Sequence, residues 1–289
     1  IRYLRKMKFG QKILEIGPKW HMNKQNIPTM GGFMFIIGIA LAVILGGLIT
    51  GTLSIHALAI LGLSAAYGAV GLVDDYAKIK KKENAGLTPR QKLVLQILVA
   101  AVFILVLFLE SDGLPSLMIP FTGISIDLPW PVYIIFAAFV IVGADNAVNL
   151  TDGIDGLAAS VTVPVAVFFA AVGARIGNTG VTIFAGALAG GLLGFLIYNF
   201  NPAKVFMGDT GSLFLGGAVA GMAFACDMPL ILLLVGLIYI IETLSVILQV
   251  TYFKATHGKR LFKMAPIHHH FEMCGWGEKR IVLTFTAVT

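Results

Sequence analysis

Charged residues are scarce in this chain: they make up 12% of its 289 residues, whereas hydrophobic residues make up 57%. An ordinary soluble domain contains roughly 25% charged residues. A mean hydropathy of +0.88 leaves too little polar surface to cover a soluble globule. The shortage excludes a disordered chain and a nucleic-acid-binding domain, and it predicts an integral membrane protein.

Cysteine is also scarce, since the chain contains only Cys226 and Cys274. Cys226 is predicted at the outer end of a membrane span and Cys274 in a cytoplasmic loop. The two thiols therefore cannot pair, and a fold held together by disulfide bonds is excluded.

Long apolar runs, by contrast, are abundant. A membrane-crossing helix needs about 20 apolar residues, and none of the runs alternates as a strand does. We therefore expect an all-α fold, a polytopic membrane helical bundle, with a short external β-hairpin around Thr122-Gly123. Eight full spans and part of a ninth are predicted near residues 30–50, 55–73, 93–110, 130–146, 157–175, 181–198, 211–226 and 229–252, and from Ile281 onwards.

Basic residues predict the orientation of the bundle. The segments 1–28, 74–92, 199–210 and 253–280 hold 20 of the 21 Lys and Arg residues. Because Lys and Arg are retained on the cytoplasmic side, these segments are expected to face the cytoplasm. Residues 1–289 are expected to form a single integral membrane domain that lacks a preceding first span and the end of the last one.

Two acidic clusters lie where predicted spans meet the cytoplasm. Asp74 and Asp75 are costly at a span end unless they are paired, hydrated or bound to a cation. A solvated helix end with Lys78 as partner explains them equally well. In the second cluster, spacings of three place Asn146, Asn149, Asp152 and Asp155 near one another, and an apolar core would leave them unsatisfied. This second cluster therefore favours a functional site.

A third cluster, Gly208-Asp-Thr-Gly-Ser, begins a predicted helix. Its free backbone N–H groups can meet a phosphate while Asp209 holds a hard cation. The alternative is that Asp209 or Thr210 only caps the helix. No obligatory basic partner is expected beside Asp209.

Three consecutive histidines, His268, His269 and His270, form a fourth cluster. Structural zinc sites favour spaced ligands and thiolates, so we expect this segment to bind an anionic substrate or to position a phosphate. Glu242 and Gln249 lie within the last full span, where Glu242 is expected to form an interhelical hydrogen bond.

Together these segments resemble the phospho-N-acetylmuramoyl-pentapeptide transferases, a bacterial family of the polyprenyl-phosphate N-acetylhexosamine-1-phosphate transferase superfamily. The resemblance covers essentially the whole chain. Its motifs are Pro28-Thr-Met-Gly-Gly, Val73-Asp-Asp-Tyr, Asn146-Ala-Val-Asn-Leu-Thr-Asp-Gly-Ile-Asp-Gly-Leu, Val205-Phe-Met-Gly-Asp-Thr-Gly-Ser and Ala265-Pro-Ile-His-His-His-Phe-Glu.

The resemblance implies a ten-span enzyme of the bacterial cytoplasmic membrane with its active site on the cytoplasmic face. It implies transfer of phospho-N-acetylmuramoyl-pentapeptide from UDP-N-acetylmuramoyl-pentapeptide to undecaprenyl phosphate within the lipid bilayer, with release of UMP. It also implies Mg²⁺ as cofactor and a homodimer, and it implies that nucleic acid is not a binding partner.

Site residues follow from the same resemblance. Asp209 matches the Mg²⁺ ligand, and Asp74, Asp75 and His268 match the other catalytic positions. The implied substrate-binding residues are Lys24, Thr29, Lys78, Asn146, Asn149, Asp152, Gly153, Asp155, Asn199, Phe206, Gly208, Gln249, His269 and His270. Among them, Phe206 is expected to stack on uracil, and Asp145 matches no motif position and is given no role.

Two other functions stay open. A transferase of N-acetylglucosamine-1-phosphate would share the chemistry motifs, and the histidine segment is what favours the muramoyl substrate. A secondary transporter would also place carboxylates at helix ends, but its ion-binding residues would lie near the membrane midplane.

Overall fold

The computed structural model describes residues 27–81, 86–111 and 113–289. Lys24 lies outside them. Within the described ranges the helices are α1 Gly32–Thr50, α2 Ile55–Lys81, α3 Pro89–Glu110, α4 Trp130–Thr151, α5 Leu157–Ile176, α6 Thr179–Asn199, α7 Gly208–Ala225, α8 Leu232–Val235, α9 Leu237–Ala255, α10 Ile267–Met273 and α11 Glu278–Val288.

Among the described residues, seven helices are long and apolar enough to cross a membrane, namely α1 to α6 and α9. This confirms the prediction of an all-α polytopic membrane protein. The predicted count of eight full spans was wrong for the described residues, because α7, over the predicted span 211–226, is not among the seven. The external hairpin is also confirmed: Ser116–Met118 (β1) pairs antiparallel with Ser125–Asp127 (β2), and Leu117 lies opposite Ile126.

Three predicted span boundaries were wrong. Helix α2 continues past residue 73 to Lys81, because three lysines in its last turn stabilise the negative end of the helix dipole. Helix α4 likewise runs to Thr151 instead of ending near residue 146. The span predicted over 229–252 is divided into a 3₁₀ turn at Pro229–Ile231, α8 and α9, with the break at Gly236, a poor helix former.

Helix α7 is the central element of the bundle. Every residue from Thr210 to Phe224 is buried, and the helix contributes to both apolar cores. One core is shared with α1, α5 and α6, and the other with α2, α3 and α4. The approach to α2 is so close that a Cβ on Gly71 would overlap the carbonyl oxygen of Asp209.

The two ends of α7 carry different neighbours. At its start, Gly31 N–H donates to Phe206 O at 2.7 Å and Phe206 N–H to Pro28 O at 2.9 Å, which binds the chain before α1 to the entry of α7. At its far end, Met118 of the hairpin donates its N–H to Asp227 O at 3.0 Å. A helix of this length extends about 27 Å, so Asp209 and the hairpin lie at opposite ends of the bundle.

Candidate active site

Three carboxylates meet where α2 passes the start of α7. Asp74, Asp75 and Asp209 each offer one oxygen, and these oxygens lie within 4.8 Å of one another. Asp74 and Asp75 are buried, with 3% and 1% of their surface exposed. So many buried acids in so small a space must be balanced by donors or cations.

Asp75 is balanced by the first turn of α7. Its Oδ1 accepts the N–H of Asp209 at 3.1 Å, and its Oδ2 accepts both the N–H of Thr210 at 2.9 Å and the Thr210 hydroxyl at 2.8 Å. Asp75 thus caps α7 from a neighbouring helix. The alternative in which Asp209 or Thr210 caps α7 with its own side chain is wrong, and the Asp209 carboxylate remains available to the cleft.

Asp209 is balanced by two lysines and an amide. Its Oδ2 lies 2.9 Å from Lys78 Nζ and 3.3 Å from Lys92 Nζ, and its Oδ1 accepts from Asn149 Nδ2 at 3.1 Å. Lys78 is shared, since its Nζ also lies 2.6 Å from Asp74 Oδ2. The expectation that Asp209 has no basic partner was therefore wrong, because α2 and α3 bring lysines to it from distant parts of the chain.

Lys92 is a site residue that the sequence reasoning missed. It lies in the first turns of α3 and also donates to Asn149 Oδ1 at 3.1 Å. The capping box that Thr88 and Gln91 form starts α3 just before it. A usable signal existed: Lys92 and Gln96 stand four residues apart, hence on one face of an otherwise apolar helix.

These groups line a cleft of about 630 Å³. Its wall combines charged residues, amides and apolar side chains, so it can accept an anion and an apolar chain together. The lining residues are Asp74, Lys78, Gly86, Leu87, Pro89, Lys92, Leu93, Gln96, Asn146 and Asp209.

The turn after α4 holds the remaining acids of the second cluster. Burial raises the pKa of the Asp152 carboxyl well above its ordinary value, and the negative charges of Asp209, Asp75 and Asp155 raise this pKa further. Asp155 instead supports a loop, since its Oδ2 accepts from Ala203 N at 2.9 Å and from Asn201 Nδ2 at 3.2 Å.

The three histidines of α10 meet different partners. His268 is fully buried, and its Nδ1 lies 2.9 Å from Oε2 of Glu242. This confirms Glu242 as an interhelical partner. The His268 ring packs so closely under Gly153 that a Cβ there would overlap it. His269 Nδ1 lies 2.6 Å from Glu272 Oε2, and His270 Nδ1 accepts the N–H of Lys263 at 3.1 Å.

Several other predicted residues have structural contacts. The Gln249 side chain accepts the N–H groups of Leu261 and Phe262 at 3.0 and 2.8 Å and donates to Phe262 O. Asn199 is buried and donates to Val205 O at 2.9 Å. Thr29 is buried beside Gly208, whose φ of +71° suits glycine, and Phe206 is half-buried at the same junction.

Comparison with known proteins matches this site to a family. The model of glycosyl transferase family 4 matches residues 57–227, which include Asp74, Asp75, Asn149 and Asp209. Phospho-N-acetylmuramoyl-pentapeptide-transferase of Listeria welshimeri is 47% identical over 288 residues, which cover 100% of this chain and 88% of the relative. The chain belongs to this transferase family.

Other members of the family are equally similar. The enzyme of the same name from Caldanaerobacter subterraneus is 48% identical over 289 residues, covering 100% of this chain and 89% of its own length. That of Bacillus licheniformis is 46% identical over 286 residues, covering 99% and 87%. The family resemblance predicted from the motifs is confirmed.

Proposed function

We propose that this chain transfers phospho-N-acetylmuramoyl-pentapeptide from its UDP-linked donor to undecaprenyl phosphate and releases UMP. The observation that carries the proposal is the position of the Asp209 carboxylate in the cleft. Asp75 performs the capping of α7, so the Asp209 carboxylate faces a cleft between two lysines and an amide. Anionic groups of both substrates can bind in such a cleft.

The donor atoms of the cleft suit Mg²⁺, which prefers oxygen ligands and shares itself with substrate phosphates. Asp209 and Asp74 would hold the ion, because both line the cleft, whereas Asp75 points to the first turn of α7 and accepts its hydrogen bonds. When bound, Mg²⁺ supplies positive charge that offsets the charge of the transferring phosphate.

Lys78 and Lys92 supply the chain's own positive charge. Phosphoryl transfer depends mainly on positioning and on neutralising charge, and two ammonium groups within 3.3 Å of one carboxylate oxygen can turn towards an incoming diphosphate. Asp74 is the paired aspartate we place beside the lipid phosphate, since Asp75 is held by the helix start.

We favour direct attack of the lipid phosphate on the sugar-linked phosphorus. A phosphate monoester has a second pKa near 6 and is mostly dianionic at pH 7, so the nucleophile needs no general base. The alternative is an aspartyl-phosphosugar intermediate. Trapping that intermediate in amounts equal to the enzyme, without lipid acceptor, would overturn direct attack.

We further propose that the cleft faces the cytoplasm and that Phe206 stacks on uracil. The positions of the Lys and Arg residues support the orientation. Single cysteines introduced into 86–92 should be labelled only from the cytoplasmic side, and those in 116–127 only from outside, once Cys226 and Cys274 are replaced. Reversed labelling would contradict this orientation.

Exchange of radiolabelled UMP in detergent tests the reaction itself. The purified chain should exchange UMP with UDP-N-acetylmuramoyl-pentapeptide in the presence of undecaprenyl phosphate and Mg²⁺. Exchange only with UDP-N-acetylglucosamine would indicate the other transferase. Absence of exchange with either donor would refute a transferase.

A further inference from the structure

Asp145 is a buried carboxyl group that the proposed reaction does not use. It lies in α4 with none of its surface exposed, and its Oδ1 has no hydrogen-bond partner among the described residues. That oxygen faces α7, where a Cβ on Gly216 would lie 2.6 Å from it. Burying a carboxyl group with one unpaired oxygen costs free energy that an apolar side chain would not. The contacts of its other oxygen therefore matter.

The Oδ2 of Asp145 begins a chain of amide hydrogen bonds. It accepts from Gln96 Nε2 at 2.7 Å, and Gln96 Oε1 accepts in turn from Asn146 Nδ2 at 3.0 Å. The second hydrogen of Asn146 Nδ2 goes to the carbonyl oxygen of Val142 at 2.9 Å. Each group in the chain therefore has one defined role as donor or acceptor.

This series of hydrogen bonds determines which atom of Asn146 is presented to the cleft. Gln96 and Asn146 both line the cleft that contains Asp209. Because both hydrogens of Asn146 Nδ2 are engaged, its Oδ1 is the amide atom left for a ligand. If the Gln96 amide turned over, its NH₂ group would face the NH₂ of Asn146, and its oxygen would face the carboxyl group of Asp145. Both contacts would be unfavourable.

We propose that Asp145 and Gln96 are positioning residues that hold Asn146 with its Oδ1 towards the cleft, where it accepts a hydrogen bond from a hydroxyl or amide N–H of the sugar-phosphate donor. This inference rests on the proposed function. It excludes a contact between the Asn146 amide nitrogen and a phosphate oxygen, because that nitrogen has no free hydrogen.

Exchanging the acid and the amide between positions 145 and 96 tests the direction of these hydrogen bonds. In Gln96→Glu, two carboxyl groups face each other, and the hydrogen bond from position 96 to Asp145 is lost. We expect the KM for the UDP-linked donor to rise roughly 10-fold, the equivalent of one hydrogen bond. In Asp145→Asn, either amide atom can face Gln96, so we expect a smaller rise. In the double variant Asp145→Asn/Gln96→Glu, the new amide donates to one oxygen of the new carboxylate, and the other oxygen of that carboxylate accepts from Asn146. The KM of the double variant should therefore return to within about threefold of the wild type.

A matched control separates positioning from stability. Tyr67→Phe removes the hydrogen bond from the Tyr67 hydroxyl to the backbone oxygen of Gln96 but leaves the amide chain intact. We expect this variant to lose thermal stability and to keep the wild-type KM. A purely structural role for Asp145 would instead make all of the variants resemble Tyr67→Phe.

The double variant decides between the outcomes. A double variant as impaired as Gln96→Glu, or single variants with wild-type KM, would overturn the positioning role. If neither single variant folds, restored folding and KM in the double variant support it, and an unfolded or inactive double variant overturns it. If the wild type itself shows neither UMP exchange nor binding of the UDP-linked donor, both the proposed function and the positioning role fail. If the wild type is active but the variants do not behave as expected, only the positioning role fails.

Discussion

The cleft around Asp209 and the histidine helix α10 both concentrate titratable side chains, but they satisfy them differently. In the cleft, one carboxylate oxygen is shared by Lys78 and Lys92, and Lys78 is itself shared with Asp74. In α10, each imidazole meets a different group. Shared charges can rearrange around an anionic ligand, whereas separately bound groups hold the chain in place.

The largest effect should follow from removing the charge of Asp209. We expect Asp209→Asn to lower turnover roughly 100-fold or more, an effect typical of losing one electrostatic group from a reaction site. The fold should persist, because Asp75 caps α7 through the backbone and Thr210. Turnover at millimolar Mg²⁺ and the melting temperature in detergent measure the two effects. Near-normal turnover would make the cleft only a structural charge cluster.

Phe206 tests whether the cleft extends to a nucleotide-binding surface. If it stacks on uracil, Phe206→Ala should weaken UMP binding by about 1–3 kcal/mol, and Phe206→Tyr should weaken it less. Calorimetric titration with UMP measures both. Equal affinity in Phe206→Ala and the wild type would leave Phe206 as a packing residue at the junction with Pro28.

Substitution of Lys92 tests whether Lys78 and Lys92 both contribute to turnover. Lys92→Met should lower turnover roughly 10-fold, as expected for loss of one charged hydrogen bond, because Lys78 still compensates Asp209. Lys80→Met is the matched control, since it removes the same charge from the exposed side of α2. Equal turnover in the two variants would mean that only net charge matters.

Asp75 should affect stability more clearly than any residue that lines the cleft. Asp75→Ala removes the cap of α7 and should cost about 1–2 kcal/mol of stability, while Asp75→Asn keeps an accepting oxygen and should cost less. Thermal inactivation of the two variants in detergent gives the difference. A melting temperature unchanged in Asp75→Ala would show that the capping hydrogen bonds do not stabilise α7.

The smallest effect is expected in the histidine helix. His270→Ala removes the acceptor of the Lys263 N–H, so it should cost about 0.5–1.5 kcal/mol of stability and change turnover only a few-fold. The melting temperature in detergent and the rate of UMP exchange measure the two effects. A loss of turnover comparable with that of Asp209→Asn would place His270 in the reaction and erase the difference between the two regions.

Most of the fold follows from local sequence signals. Apolar runs of membrane-spanning length predict the helices, and the alternation around Thr122-Gly123 predicts the hairpin. The boundaries were less predictable: α2 continues beyond its apolar run to the lysines of its last turn, and one of these, Lys78, contacts Asp209 of α7 far away in the chain. The break at Gly236 had only a weak local signal.

The sequence by itself determined that the chain is a membrane protein of this transferase family, and it predicted Asp74, Asp75, Asn149 and Asp209 as site residues, because composition and motif order are properties of the chain alone. Only the tertiary structure separated the adjacent acids: Asp75 caps α7, whereas Asp74, the i,i+4 partner of Lys78, lines the cleft. It also brought Lys92 to Asp209 and connected Asp145 through Gln96 to Asn146. Adjacent helical residues diverge by about 100°, so their partners depend on which helices pack beside them.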